Sequence, residues 1–118
     1  MSADSTRSVM ERYFDAMGHD QDFSRFFSAD VTWSMVDTSE QVSGAAAVRQ
    51  YILELHGRMS SGEQRPLDVT DGHAYLEGSA VNGDPGLAYC LVYDVSDDRI
   101  TAIRCYGTIA TLVPHPPP

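Results

Sequence analysis

GLAYCLVYDVSDDRITAIRCYGTIATLV, residues Gly86–Val113, is the stretch the rest of the chain must cover. It reads as two strands, Leu87–Val95 and Arg99–Leu112, joined by the polar turn Ser96-Asp97-Asp98. Both runs are rich in Val, Ile, Leu, Tyr and Thr and are bounded by turn residues, the signature of strands. A two-stranded ribbon is marginal alone and has to bury a face against something.

If Asp97 and Asp98 form a two-residue loop, Ser96 stands opposite Arg99 and the faces follow by alternation. One face carries Leu87, Tyr89, Leu91, Tyr93 and Val95 with Ile100, Ala102, Arg104 and Tyr106. The other carries Ala88, Cys90, Val92 and Asp94 with Thr101, Ile103, Cys105 and Gly107. In this register Cys90 and Cys105 are directly opposite, on a flat ladder that strains a cross-strand disulfide. A pair of buried thiols is therefore the expected state. A bulge anywhere in Arg99–Tyr106 would scramble the assignment.

The 118 residues, 42% hydrophobic and 21% charged, fit one domain with a real core, placed at 1–113. The net charge is −9 and every basic residue is Arg, with no basic cluster, so nucleic acid and anionic membranes are poor partners. No apolar run is long enough for a membrane span. The start, MSADSTRSVMERYF, has neither a basic nor an apolar leader region, so no signal peptide and a reducing, cytoplasmic setting are expected.

Earlier in the chain, Ser5 or Thr6 can cap a helix running to Met17, with Gly18 as its stop and Met10, Tyr13, Phe14 and Met17 as its buried stripe. A short helix Asp22–Ser28 turns Phe23, Phe26 and Phe27 inward. Val31–Asp37 is a strand with Val31, Trp33, Met35 and Asp37 on one side, and Thr38–Ser43 a polar loop. Gly44–Met59 is a helix on the spacing of Val48, Ile52, Leu55 and Met59. Ser60–Pro66 is a linker, Leu67–Thr70 and His73–Val81 are strands, and the tail 114–118, PHPPP, cannot join a ladder and is expected to be disordered. The class is α+β, a curved sheet with helices on its concave face.

RYFDAMGHDQDFSRFFSADVTW, VSGAAAVRQYILEL and DRITAIRCYG together resemble the nuclear-transport-factor-2-like superfamily, in its SnoaL-like branch, over residues 8–112. That group includes polyketide cyclases, ketosteroid isomerase and limonene epoxide hydrolase. The resemblance implies a cystatin-like α+β cone: three N-terminal helices on a strongly curved, mainly antiparallel sheet around one apolar pocket. It also implies homodimers through the sheet and a small apolar molecule as partner. No histidine pairs with a second ligand at metal spacing, and no phosphate loop or dinucleotide glycine pattern occurs, so no metal or cofactor is expected. Tyr13 matches the isomerase's oxyanion donor. Met35 stands where that enzyme has its aspartate base, and Cys105 where the hydrolase has an acid.

These departures leave Asp37, two residues beyond Met35 on the same side of the strand, as the candidate acid or base. The expected catalytic set is Tyr13 to polarise an oxygen, Asp37 to move a proton and Arg104 to orient the substrate. The expected lining is Phe26, Phe27, Trp33, Met35, Tyr89, Leu91, Tyr93 and Tyr106. Each of these also has an ordinary use, as packing for the aromatics, a solvated loop acid for Asp37 and ring stacking for Arg104. The function expected is cofactor-free acid–base chemistry of the isomerase, cyclase, dehydratase or epoxide-hydrolase type. The alternative is a non-catalytic ligand-binding or protein-interaction module, which Met35 in the place of the base favours.

Overall fold

The computed structural model describes residues 2–112; the proline-rich tail 114–118 lies outside them. The element order is α1 (Ala3–Gly18), a 3-10 turn (Phe23–Phe26), β1 (Phe27–Met35), β2 (Glu40–Ser43) and α2 (Ala45–Gly57). Then come β3 (Glu63–Gln64), β4 (Asp68–Thr70), β5 (His73–Val81), β6 (Asp84–Ser96), β7 (Arg99–Tyr106) and a second 3-10 turn (Thr108–Leu112). The strands form one curved, unclosed sheet in the order β2-β1-β7-β6-β5-β3, with β4 also on β5. All pairs are antiparallel except β1 with β7. Among the described residues no helix is long and apolar enough to cross a membrane.

Among the described residues two α-helices, not three, pack on this sheet. The expected helix at Asp22–Ser28 is only a 3-10 turn, capped by Asp22, whose Oδ1 accepts from the Ser24 N–H at 3.0 Å. A three-residue period places Phe23 and Phe26 on one side, and both are buried. The next residue, Phe27, already pairs with Ile100 in the sheet, so no length remains for a helix. α1 is capped one turn earlier than Ser5 or Thr6 would allow: Ser2 and Ser5 form a reciprocal capping box. Thr6 is instead buried, and its hydroxyl accepts from the Gly72 N–H at 3.0 Å, tying α1 to the β4–β5 hairpin.

The β6–β7 hairpin has the two-residue turn expected, with Asp97 and Asp98 both left-handed (φ 50° and 59°). Ser96 opposes Arg99 and Val95 opposes Ile100, but Asp94 then opposes Ala102. Thr101 is thus an extra residue, and its hydroxyl donates to the Asp94 carbonyl at 3.3 Å. This bulge reverses every later side chain of β7 relative to the simple register. Ile103 and Cys105 face the core, and Ala102, Arg104 and Tyr106 face away. Cys90 accordingly pairs with Tyr106 and Cys105 with Leu91, so the two thiols are not opposite each other. Both are free, Cys105 buried and Cys90 half-buried.

β7 ends at Tyr106 rather than continuing to Leu112. Gly107 adopts φ +126°, and a Cβ there would strike the Ala88 carbonyl oxygen, so only glycine fits the corner. The chain then turns into the second 3-10 segment, which buries Ile109. The core lies between the inner sheet face (Val31, Met35, Ala74, Val95, Ile100, Ile103) and the helical stripes (Val9, Met10, Tyr13 on α1; Val48, Ile52, Leu55 on α2). Each such aliphatic side chain contributes about 2 kcal/mol by leaving water, which is what holds the helices to the sheet.

Candidate functional site: a cavity between the helices and the sheet

Between the two helices and the inner face of the sheet lies a cavity of about 270 Å³. Its floor consists of buried side chains: Tyr13, Trp33, Ile52, Leu55, Leu76, Tyr93, Cys105 and Ile109. Its rim is more open and brings together the ends of both helices (Met17, Gly18, His56, Met59), Gln64 of β3, and Tyr89 and Leu91 of β6. Among the described lining residues there is no carboxylate and no arginine.

Tyr13 is held on the floor by four rings, Phe14 at 5.1 Å, Phe23 and Phe27 each at 5.7 Å, and Tyr93 at 6.2 Å. Burial alone pushes its phenol far above the usual tyrosine value, and no hydrogen bond among the described residues takes up its hydroxyl. Tyr93 is shifted the same way, first by burial and then by the nearby Tyr13 and Tyr89. Burial also pushes the Cys105 thiol up to about 12, so it stays protonated at neutral pH. His56 goes the other way: loss of water on its cavity side lowers its value and favours the neutral ring. At the rim the Tyr89 hydroxyl accepts from Gln64 Nε2 at 2.9 Å.

A floor of neutral hydroxyls, apolar walls and a rim with one imidazole can hold a small apolar molecule and hydrogen-bond one oxygen of it. No group of three His, Cys, Asp or Glu among the described residues could hold a metal ion.

Solved structures share this architecture along nearly the whole chain. A Kribbella flavida DSM 17836 protein assigned as a ketosteroid isomerase is 20% identical, with a TM-score of 0.68 over 98% of this chain and 84% of its own. A steroid delta-isomerase from Pseudomonas aeruginosa is 13% identical, with a TM-score of 0.73 over 86% and 78%. A Xanthomonas campestris pv. campestris protein assigned as a polyketide cyclase is 14% identical, with a TM-score of 0.67 over 96% and 97%. A nuclear-transport-factor-2-like protein from Burkholderia xenovorans LB400 is 17% identical, with a TM-score of 0.66 over 97% and 99%. The fold is accordingly nuclear-transport-factor-2-like. No family model matches the sequence, and no curated protein does. At these identities the likeness fixes the fold and leaves the chemistry to the site.

Within this nuclear-transport-factor-2-like cone the expected residues separate. Tyr13, Trp33, Tyr89, Leu91 and Tyr93 line the cavity. Phe26, Phe27 and Met35 are buried but lie in the packed core beside it rather than on its wall. Tyr106 was expected on the wall; the Thr101 bulge turns it to the outer face, where it is 39% exposed and borders a groove with Glu77, Cys90 and Arg65. The same bulge carries Arg104 outward onto Asp94, away from any ligand in the cone. Asp37 falls in the turn after β1, where its Oδ1 accepts from the Gly107 N–H at 3.0 Å; it closes that corner and does not reach the cavity.

Sequence reasoning passed over His56, Gln64, Leu76, Cys105 and Ile109 as lining. For His56 a signal existed: it follows Ile52 by four residues and precedes Met59 by three, on the edge of the buried stripe.

Proposed function

We propose that the cavity binds a small, mostly apolar molecule bearing one hydrogen-bond-accepting oxygen. The protein would act on it by cofactor-free acid–base chemistry of the isomerase, cyclase or dehydratase kind. The observation that carries this reading is the buried Tyr13 side chain on the lining of an apolar cavity, whose hydroxyl has no hydrogen-bond partner among the described residues. A carbonyl oxygen entering the cavity would give that hydroxyl the acceptor it lacks, a hydrogen bond worth about 1 kcal/mol net. The isomerase and cyclase names among the structural neighbours support the same class of ligand.

The test is thermal unfolding with 2-tetralone, a bicyclic ketone, and with tetralin, the same skeleton without the oxygen. A ligand that binds only the folded state stabilises it by about 2.7 kcal/mol at a hundred times its Kd. The expected result is a larger rise in Tm with the ketone. No rise with either compound sinks the reading.

The absence of a carboxylate from the described lining supports a second reading, a ligand-binding module without turnover. It predicts the same Tm shift and no change in the ligand. Homodimerisation through the outer sheet face belongs to either reading, supported by the exposed Tyr106 ring on that face. Light scattering of the eluted protein tests it, and a monomer at high micromolar concentration rules it out.

A further inference from the structure

We propose that His56 is the group that takes up and returns the proton in this cavity, in the place where sequence reasoning put Asp37. The inference rests on the cavity being a ligand site, and it stands on which side chains surround that site. Of the lining residues only Tyr13, Tyr89, Tyr93, Cys105 and His56 titrate. The phenols of Tyr13 and Tyr93 and the Cys105 thiol are all shifted upward by burial, so they hold their protons at neutral pH and can donate hydrogen bonds only. No carboxylate among the described residues reaches the wall. An imidazole is the one lining group whose ordinary value lies near neutrality.

Its position suits the role. His56 is in the last turn of α2, where the helix carbonyls favour the cation. The elements packed around the rim face it with uncharged groups: Met17 and Gly18 from α1, Met59 beyond α2, Gln64 from β3, and Tyr89 and Leu91 from β6. On its own element Glu54 is engaged by Gln50 at 3.1 Å, and Arg58 donates to the Leu112 carbonyl at 3.1 Å. Desolvation on the cavity side lowers its value and favours the neutral ring, the form a base needs. Its other edge is open to solvent, so a proton taken from a ligand can leave to water.

With 2-tetralone as probe the step balances without any co-reactant. A neutral ring nitrogen of His56 takes a proton from the C1 methylene. The C–H electron pair becomes the C1=C2 bond, and the carbonyl π pair moves onto oxygen, giving the enolate. In heavy water the imidazolium exchanges its proton with solvent and returns a deuteron to C1, restoring the ketone.

The experiment follows this exchange by proton NMR in wild type, His56→Gln and the outer-face control His73→Gln. Binding is read separately from the fluorescence of Trp33, the single tryptophan, which lines the cavity. The expected result is protein-dependent exchange in wild type and His73→Gln and a loss of about a hundredfold in His56→Gln, with the Trp33 response kept. The rate should rise with pH through a value below the ordinary 6.5 of histidine and then level off. Exchange in His56→Gln equal to wild type overturns the inference. So does a wild type that binds the ketone but exchanges it no faster than buffer. An unchanged Trp33 signal in wild type overturns the ligand-site reading itself, and this inference with it.

Discussion

The Arg104 guanidinium grips the Asp94 carboxylate with two hydrogen bonds, Nη1 to Oδ2 at 2.6 Å and Nη2 to Oδ1 at 2.9 Å, on the outer face of the sheet. His73 Nε2 approaches the same carboxylate at 3.4 Å from β5, so the pair staples β5, β6 and β7 together. This geometry makes Arg104 a structural residue.

Replacing Arg104 by Met should therefore cost stability and spare the cavity. Each side chain of the pair is 32% exposed, which limits the loss to about 1 kcal/mol in urea unfolding. Hydrogen bonds from Arg104 hold the Asp94 carboxyl below its ordinary value of 3.8. A lowered folded value means that the stabilisation is complete above the unfolded value and is lost as pH falls through the folded one. The gap between wild type and Arg104→Met should thus be constant at neutral pH and close below about pH 3.8. Loss of 2-tetralone binding with unchanged stability would return Arg104 to the site.

The two cysteines should remain thiols under oxidant. Thr101 places Cys105 opposite Leu91 on the inner face, while Cys90 faces outward opposite Tyr106. Side chains on opposite faces of a sheet cannot meet a disulfide's geometry. Diamide treatment followed by mass spectrometry should show no loss of two hydrogens within the chain. An intramolecular bridge would mean the unbulged register, with the faces of β7 exchanged.

That bulge marks where the sequence stopped being legible. The turn residues Asp97 and Asp98, the inward set of β6 and the helix stripes follow from residue type and period, and the structure keeps them. Thr101 gives no such sign: it is a β-branched residue at home in a strand, with no glycine or proline beside it. One uncounted residue was enough to move Arg104 and Tyr106 off the expected wall and to bring Cys105 onto it. The rim was hidden for another reason. His56, Gln64 and Met17 meet only because three elements end at the same place, and no local pattern records where ends converge.

Tyr89 should govern entry at that rim. It pairs with Gly78 on β5, and its ring occupies the space a Cβ at 78 would need, while its hydroxyl holds Gln64. In Gly78→Ala the movable end of the tyrosine gives way rather than backbone, so the unfolding free energy should change little, by about 0.5 kcal/mol or less. The Gln64 contact is lost, and 2-tetralone should dissociate several times faster in stopped-flow Trp33 fluorescence. Strong destabilisation with an unchanged off-rate would show that the ring packs there without gating anything.

Tyr13→Phe separates a ligand-binding hydroxyl from a structural one. A hydroxyl with an internal partner contributes about 1 kcal/mol to folding, and its removal strands that partner at further cost. The Tyr13 hydroxyl has no internal partner among the described residues to lose, so Phe at 13 should fold at least as stably as Tyr, since the surrounding rings of Phe14, Phe23, Phe27 and Tyr93 accept either. The loss should appear only when an oxygen is offered. Affinity for 2-tetralone should fall by about tenfold, the equivalent of one net hydrogen bond, while affinity for tetralin stays level. Equal losses for both compounds would mean that the ring's shape matters and its hydroxyl does not, and the acceptor-oxygen part of the proposal would go with it.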